Sequence, residues 1–501
     1  MKIIATTAAV LLLLAGTAAA DLMLLEDGRI VDGKKLTKTD EGVTIHFDNG
    51  EVFVPKALVR EVVIEGKTDF VPKTAKEKEQ FEKGLLPFRG RWLKPAARAR
   101  AVQKLLEERR EYVRQVKARK EWRNRHEEST KHFNFEATVP PHIFEKYRDM
   151  MEAYYESFAK TWKVGQPKNL GKLNVAFYGS LKNYLRTSGS PSNARGYFKF
   201  VEPLELHFYY DRLDPEYTRE VLFHEANHYL QMLLDPRFVM PHFPSEALAE
   251  YYGAAKWDPK KKKLTVGLIQ EGRLADVQLQ VKKGEMMGLK KLVSTPRMYE
   301  HYTWGWTLAH FLMEDKKLGK KFRSWVTSLA RGKSIKRVPQ GNPGLTTVEP
   351  DVVWSSFKQF LSLKKDADVD TLEARWHQYV TADLAITSAR GLDKAAMKAW
   401  DSGWQVRARR LFREAIEAGS TSPVTYYRAA QAVKAKGQKE KAIEYLRRAV
   451  ELDPLVGDYY AGLALALAEG DEAVRMAKLA LEIDPDDPWL EMRVYDLIHD
   501  R

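Results

Sequence analysis

Hydrophobic and polar positions change rhythm repeatedly along this chain. Residues 3–15 are apolar apart from Thr6 and Thr7. Short alternating runs follow at 22–25, 43–47, 52–54 and 62–64, the pattern of half-buried strands. Asp27-Gly28, Asp32-Gly33 and Asp48-Asn49-Gly50 are turn signals between them. Residues 75–130 are polar and mostly helical, with an intermittent stripe of Trp92, Leu105, Leu106, Tyr112, Val113, Val116 and Trp122. Helical spacing governs 143–162, and strands are predicted at 174–178, 197–201 and 204–210. A further helix is predicted from Asp214 to Leu234. Asp214 suits its N-cap, Pro215 its first position and Glu216 its dipole, and Leu222, Ala226, Tyr229, Leu230 and Leu233 give its apolar stripe. The text to about residue 385 is mostly helical, with an irregular loop at 334–350 carrying Pro339, Gly341, Pro343 and Gly344. This order predicts a multidomain α+β protein whose largest unit sets a small sheet beside a long helix.

The last 110 residues or so, from 392, repeat. Gly403, Ala408 and Ala415 recur 34 positions later as Gly437, Ala442 and Ala449. A looser third copy has Gly470, Ala473 and Ala480, with Asp484-Pro485 matching Asp453-Pro454. Small residues where helices cross, at this period, resemble tetratricopeptide repeats. The resemblance implies a stack of helical hairpins and a groove for a protein partner; the alternative is that the short array packs on the domain before it. The strands of 21–72 resemble the Sm- or SH3-like modules of exported bacterial proteins, which implies a small β-barrel with a binding or spacing role.

At 501 residues the chain is long enough for two to four domains, and 44% hydrophobic with 30% charged residues fits a globular protein. The net charge of +14 is concentrated at 91–125, where thirteen Lys or Arg stand against four Glu. A solvated basic linker helix and a contact with an anionic surface are the competing readings. No nucleic-acid motif accompanies it. Lys2, the apolar run and Ala18-Ala19-Ala20 before Asp21 read as a signal peptide cleaved after Ala20, so the protein is expected to be periplasmic or secreted. No other stretch is apolar enough to span a bilayer. The chain has no cysteine, which excludes a lipoprotein anchor, disulfides and thiolate ligands. Any metal must be held by His, Asp or Glu.

The chemistry concentrates at His224-Glu225-Ala226-Asn227-His228. Histidines four apart on a helix project from one face and reach one metal ion, and Glu225 stands beside the first, placed to act on a water the metal activates. A third histidine six residues on would complete a metzincin site, but that residue is Leu234. Instead, Pro244-Ser245-Glu246-Ala247-Leu248-Ala249-Glu250-Tyr251-Tyr252 resembles the N-E-G-x-A-x-Y helix of gluzincin peptidases. The resemblance implies that Glu246, with seventeen residues separating it from His228, is the third ligand and that Glu250, four further on, accepts the outer N–H of a ligating histidine. A surface carboxylate is the alternative for Glu250, and His242, in a proline-flanked loop, is a rival third ligand. Tyr302-Thr303-Trp304-Gly305-Trp306-Thr307-Leu308 resembles the Y-x-x-G-x-x-L helix of gluzincin aminopeptidases. Tyr302 then donates to the oxyanion, unless His301 or Tyr299 does so or Tyr302 is a core aromatic.

Together these motifs resemble the thermolysin-like, peptidase-MA-like gluzincins of exported bacterial proteins. The resemblance implies domains at 1–20 (signal peptide), 21–72 (β module), 73–130 (basic helical linker, able to cover the cleft), 131–390 (zinc metallopeptidase) and 391–501 (repeats). It implies a Zn2+ peptidase acting on peptides or proteins. No G-x-M-E-N strand is present to hold a substrate's amino terminus, so an endopeptidase is expected, with strand 204–210 as an edge for an extended peptide. The rival reading is an exported scaffold whose repeats bind partners and whose zinc site is structural or inactive.

Overall fold

A computed structural model describes residues 21–64, 70–190, 194–332, 335–341, 344–485 and 487–499. The expected signal peptide, and Ser334 and Pro343 of the expected irregular loop, lie outside the described residues. The chain is mixed α+β and divides into two compact units. One holds residues up to 114 with 454–457 and 474–501; the other holds 115–453 and 458–473.

The first unit opens with β1 (Asp21–Leu25), β2 (Ile30–Lys38), β3 (Gly42–Phe47), β4 (Gly50–Pro55) and β5 (Val59–Val63). They form an antiparallel sheet in the order β4-β3-β2-β1-β5. The expected closed barrel is not formed: after a short turn at Lys56–Leu58, β5 pairs with β1 and not with β4. Helix α1 (Ala75–Glu82), the hairpin β6 (Leu86–Phe88) and β7 (Arg91–Leu93), and the long α2 (Pro95–Arg119) follow. Val102, Leu105, Leu106 and Val113 on the apolar stripe of α2 bury against Leu22, Leu24 and Val63. The expected helical text therefore packs one face on the sheet, with Arg109 pairing with Glu61 of β5 at 2.6 Å.

The second unit begins with two strands that the sequence pattern hides, β8 (His126–Ser129) and β9 (Phe133–Ala137), where helix was expected up to residue 130. Helix α3 (Pro141–Trp162), β10 (Leu173–Tyr178), α4 (Leu181–Thr187), β11 (Gly196–Lys199) and β12 (Glu205–Tyr209) complete a five-stranded sheet. Its order is β11-β12-β10-β9-β8, with β10 parallel to β9 and β12, and antiparallel strands at both ends. Strand 204–210 was expected at the edge; β12 is instead interior and β11 is the edge. The apolar faces of β9, β10 and β12 supply Phe133, Phe135, Val175, Phe177, Leu206 and Phe208 to one core with Tyr147 of α3 and with Leu222 and Tyr229.

Helices α5 (Pro215–Gln231) and α6 (His242–Gly253) come next. A small hairpin, β13 (Lys256–Asp258) and β14 (Lys263–Thr265), leads to α7 (Glu271–Lys282), α8 (Leu289–Ser294), α9 (Glu300–Glu314) and α10 (Lys316–Arg331). Two-residue strands β15 (Val338–Pro339) and β16 (Thr346–Thr347) cross the irregular loop, before α11 (Pro350–Leu361) and α12 (Asp366–Gln378). Trp304, Trp306, Trp325 and Trp376 are fully buried in the helical half of this core. Among the described residues, no helix is long and apolar enough to cross a membrane.

The repeating text is helical throughout: α13 (Ala389–Asp401), α14 (Gln405–Glu417), α15 (Pro423–Lys434), α16 (Lys439–Leu452), α17 (Gly457–Leu467), α18 (Asp471–Ile483) and α19 (Pro488–His499). The turn glycines Gly403, Gly437 and Gly470 all take positive φ, at 74°, 75° and 97°, which explains why glycine recurs there. The recurring alanines Ala408, Ala415, Ala442, Ala449, Ala473 and Ala480 are fully buried. Helix α13 packs on α14 and also on α7, so the repeating series begins on the larger core.

Candidate metal centre

Helix α5 starts as its sequence dictates. Asp214 accepts a hydrogen bond from Tyr217 N at 3.0 Å, and Pro215 occupies the first turn. Its amino-terminal half is clamped by α13. Arg390 pairs with Asp214 at 2.7 Å, Glu216 at 2.8 Å and Glu220 at 3.4 Å, and Lys394 also pairs with Glu220. One turn beyond Glu220 stands His224. Leu222, Ala226, Tyr229 and Leu230 are buried in the core, which turns His224 and His228 toward α6. Leu234 is a core residue.

Helix α6 begins earlier than expected. Pro241 is its N-cap and His242 its first residue, so His242 is helical and not in a loop. Pro244 fits because the first-turn N–H groups have no partner within the helix. The helix presents Ser245, Glu246 and Glu250 to α5, all of them buried.

His224, His228 and Glu246 offer one ligand atom each within 4.8 Å of one another. His224 Nε2 lies 3.2 Å and His228 Nε2 3.7 Å from the same oxygen, Glu246 Oε2. That oxygen is buried and makes no aligned hydrogen bond. The outer nitrogens are held elsewhere: His224 Nδ1 is 3.3 Å from Glu250 Oε1, and His228 Nδ1 is 3.1 Å from Ser245 Oγ. Both rings thus turn Nε2 inward and tie Nδ1 to an acceptor, the arrangement that fixes a ligating imidazole's tautomer. A buried carboxylate oxygen left without a hydrogen bond between two imidazoles fits a divalent cation. The triad could hold a metal ion.

No protein-family model matches the chain, and no curated protein matches it. What the centre can do is read from its side chains.

Charge balance agrees with the geometry. Burial opposes charging His224, but Glu246 and Glu250 outweigh it and hold the ring's pKa well above its ordinary value. Burial lowers His228. Burial would raise both carboxylates, yet His228 and His224 bring Glu246 down to about 2, and Arg273 and His224 bring Glu250 to about 2. The site is thus built for anionic carboxylates around a positive charge, which a proton on His224 supplies when no cation does.

Glu225 is partly exposed and makes no hydrogen bond or ion pair among the described residues. The edge strand β11 passes beside it. A Cβ on Gly196 would lie 2.6 Å from Val221 Cγ1 and 3.4 Å from Glu225 Cγ, so glycine permits that approach. Tyr302, in the first turn of α9, stacks on His224 at 5.8 Å and 22°. Burial raises the pKa of its hydroxyl and keeps it protonated. Of the alternatives to Tyr302, Tyr299 is 62% exposed, with its ring 5.9 Å from that of Tyr302. His301 is fully buried, and its nitrogens are engaged by Leu292 O at 2.8 Å and His242 Nδ1 at 2.5 Å. His242 Nε2 faces the other oxygen of Glu246 at 3.7 Å and stands outside the converging group.

Sequence reasoning missed Ser245, Arg273, Gly196 and the His242–His301 pair. Ser245 adjoins Glu246 on its helix, and that adjacency is the signal for it in the sequence. Arg273 lies on α7, 23 residues beyond Glu250, and no local pattern marks it.

Proposed function

We propose that this protein is a zinc-dependent endopeptidase of the gluzincin type, with His224, His228 and Glu246 as ligands. The observation that carries the reading is the opposed orientation of the two imidazoles, Nε2 toward Glu246 and Nδ1 toward fixed acceptors, with an unpaired Glu225 alongside. A purely structural site has no need of a free carboxylate there.

Two nitrogens and one carboxylate oxygen suit Zn2+ and leave a fourth position open. When bound, the ion polarises the scissile carbonyl and brings the pKa of water toward about 7. Glu225 takes a proton from the attacking water as its oxygen bonds to the carbonyl carbon. The same carboxyl returns that proton to the amine as the C–N bond breaks. The Tyr302 hydroxyl donates to the oxyanion. Glu250 and Ser245 hold the imidazoles in the required tautomer. Strand β11, with its outer edge unpaired among the described residues, offers backbone groups to an extended peptide. The leader at residues 1–20 directs the enzyme out of the cytoplasm, and the repeats carry a protein partner.

Metal analysis of the purified protein with cleavage of a mixed peptide library tests the proposal. Stoichiometric zinc and cleavage that vanishes in Glu225→Gln are expected. A protein without zinc, or a Glu225→Gln variant as active as the parent, refutes it.

A further inference from the structure

We infer that Arg273 is a positioning residue of the metal centre, setting His224 through Glu250 and Tyr302 by contact with its ring. The inference rests on the metal-hydrolase reading of the site. Arg273 Nη2 donates to Glu250 Oε1, the same oxygen that faces His224 Nδ1 at 3.3 Å. The Glu250 side chain is only 4% exposed, so its carboxylate needs a cationic partner beside the histidine. The guanidinium carbon also lies 5.5 Å from the centre of the Tyr302 ring, within cation–π range. Tyr302 in turn stacks on His224.

Four groups therefore close a ring: Arg273 to Glu250, Glu250 to His224, His224 to Tyr302, and Tyr302 back to Arg273. Three helices, α5, α6 and α9, carry the other members, and α7 contributes the arginine that touches two of them. Removing it loosens a ligand's outer partner and the oxyanion donor together. Helix α7 is itself anchored, because Asp276, three residues after Arg273, pairs with Lys398 of α13. A lysine at 273 retains a charge for Glu250, but it has no planar face to lay against Tyr302.

The test uses the full-length protein with Co2+ as probe, read by its visible absorption bands and by competition with a chelator. Arg273→Gln is expected to weaken Co2+ binding about 10- to 100-fold and to alter the bands. The double variant with Glu250→Gln should bind no more weakly than Glu250→Gln alone, because Arg273 acts through that carboxylate. Arg273→Lys should recover Co2+ affinity while kcat stays depressed, since the Tyr302 contact is not rebuilt; this variant also carries the comparison if Arg273→Gln does not fold. Wild-type affinity and bands in Arg273→Gln, additive losses in the double variant, or full recovery of kcat in Arg273→Lys would each overturn the assignment. A wild-type protein that takes up no Co2+ overturns instead the metal reading beneath it.

Discussion

His228 Nδ1 and Ser245 Oγ lie 3.1 Å apart, joining the second histidine of α5 to the residue just before the α6 carboxylate. One hydroxyl thus ties a ligand's ring to the backbone position that carries another ligand. Gln231 reinforces the junction, donating to Ser245 O at 3.0 Å and to Asn227 Oδ1 at 2.8 Å. The two helices are cross-linked where the donors converge.

Ser245→Ala removes the outer partner of His228 without touching a ligand. Zinc affinity, measured by chelator competition, is expected to fall about 10- to 100-fold with the fold retained. Unchanged affinity would show that the hydroxyl does not orient the ring.

Glu225→Gln keeps the side chain's shape and removes its basicity. Its kcat is expected to drop by about 10²–10⁴-fold while metal content stays that of the parent. Loss of zinc along with activity would place Glu225 among the ligands instead.

The metal-free centre has a pH window of its own. The raised pKa of His224 makes a contribution to stability that is complete below 6.5 and is lost as pH rises through the folded-state value. Glu246 and Glu250, lowered from 4.5 to about 2, contribute above 4.5 and lose that contribution as pH falls toward 2. Zinc must displace the His224 proton, so its stabilising effect should grow with pH. Thermal unfolding with zinc and with chelator at about pH 6 and about pH 8.5 measures this, and a larger shift at the lower pH contradicts it.

Gly196→Ala places a Cβ 2.6 Å from Val221 Cγ1, so the Val221 side chain, β11 or α5 must shift. A loss of about 1–3 kcal/mol in denaturant unfolding is expected, with KM for extended peptides raised more than metal affinity is lowered. A variant with parental stability would mean that the strand has room to spare.

Arg390→Ala leaves Asp214, Glu216 and Glu220 with one shared cation fewer at the start of α5. These groups are partly buried, so a cost of about 1–3 kcal/mol is expected, between exposed and fully buried pairs. Salt should shrink it only in part. No change in the unfolding midpoint would make the clamp decorative.

Local pattern was enough to find α5, because a cap, a stripe and two histidines at helical spacing all sit within one segment. The same holds for the alanine and glycine positions of the repeating helices, whose period is a property of the sequence. Strand order is not local. The 204–210 segment reads as a good strand, but which neighbours it takes depends on β10 and on β11, the latter with its small Gly196. Likewise β5 closes on β1, and no turn signal records that choice. Strands β8 and β9 sit in charged text, with Glu127, Glu128 and Glu136 on or near the sheet's outer edge, and were overridden by the basic helical run before them. Arg273 reaches the centre only through tertiary packing, so no spacing rule points to it.

The clamp of α13 on α5 and α7 bears on where this chain can be divided. Residue 390 looks like a natural border in the sequence, but a cut after it discards Lys394 and Lys398, which strips Asp276 of its cation and leaves Glu220 only Arg390, now at the chain's end. A fragment ending at that point would fail for reasons unrelated to the repeats' own task. Comparisons between a shortened chain and the whole become interpretable only when the truncation falls beyond the α13–α14 pair, so that the first hairpin travels with the core it braces.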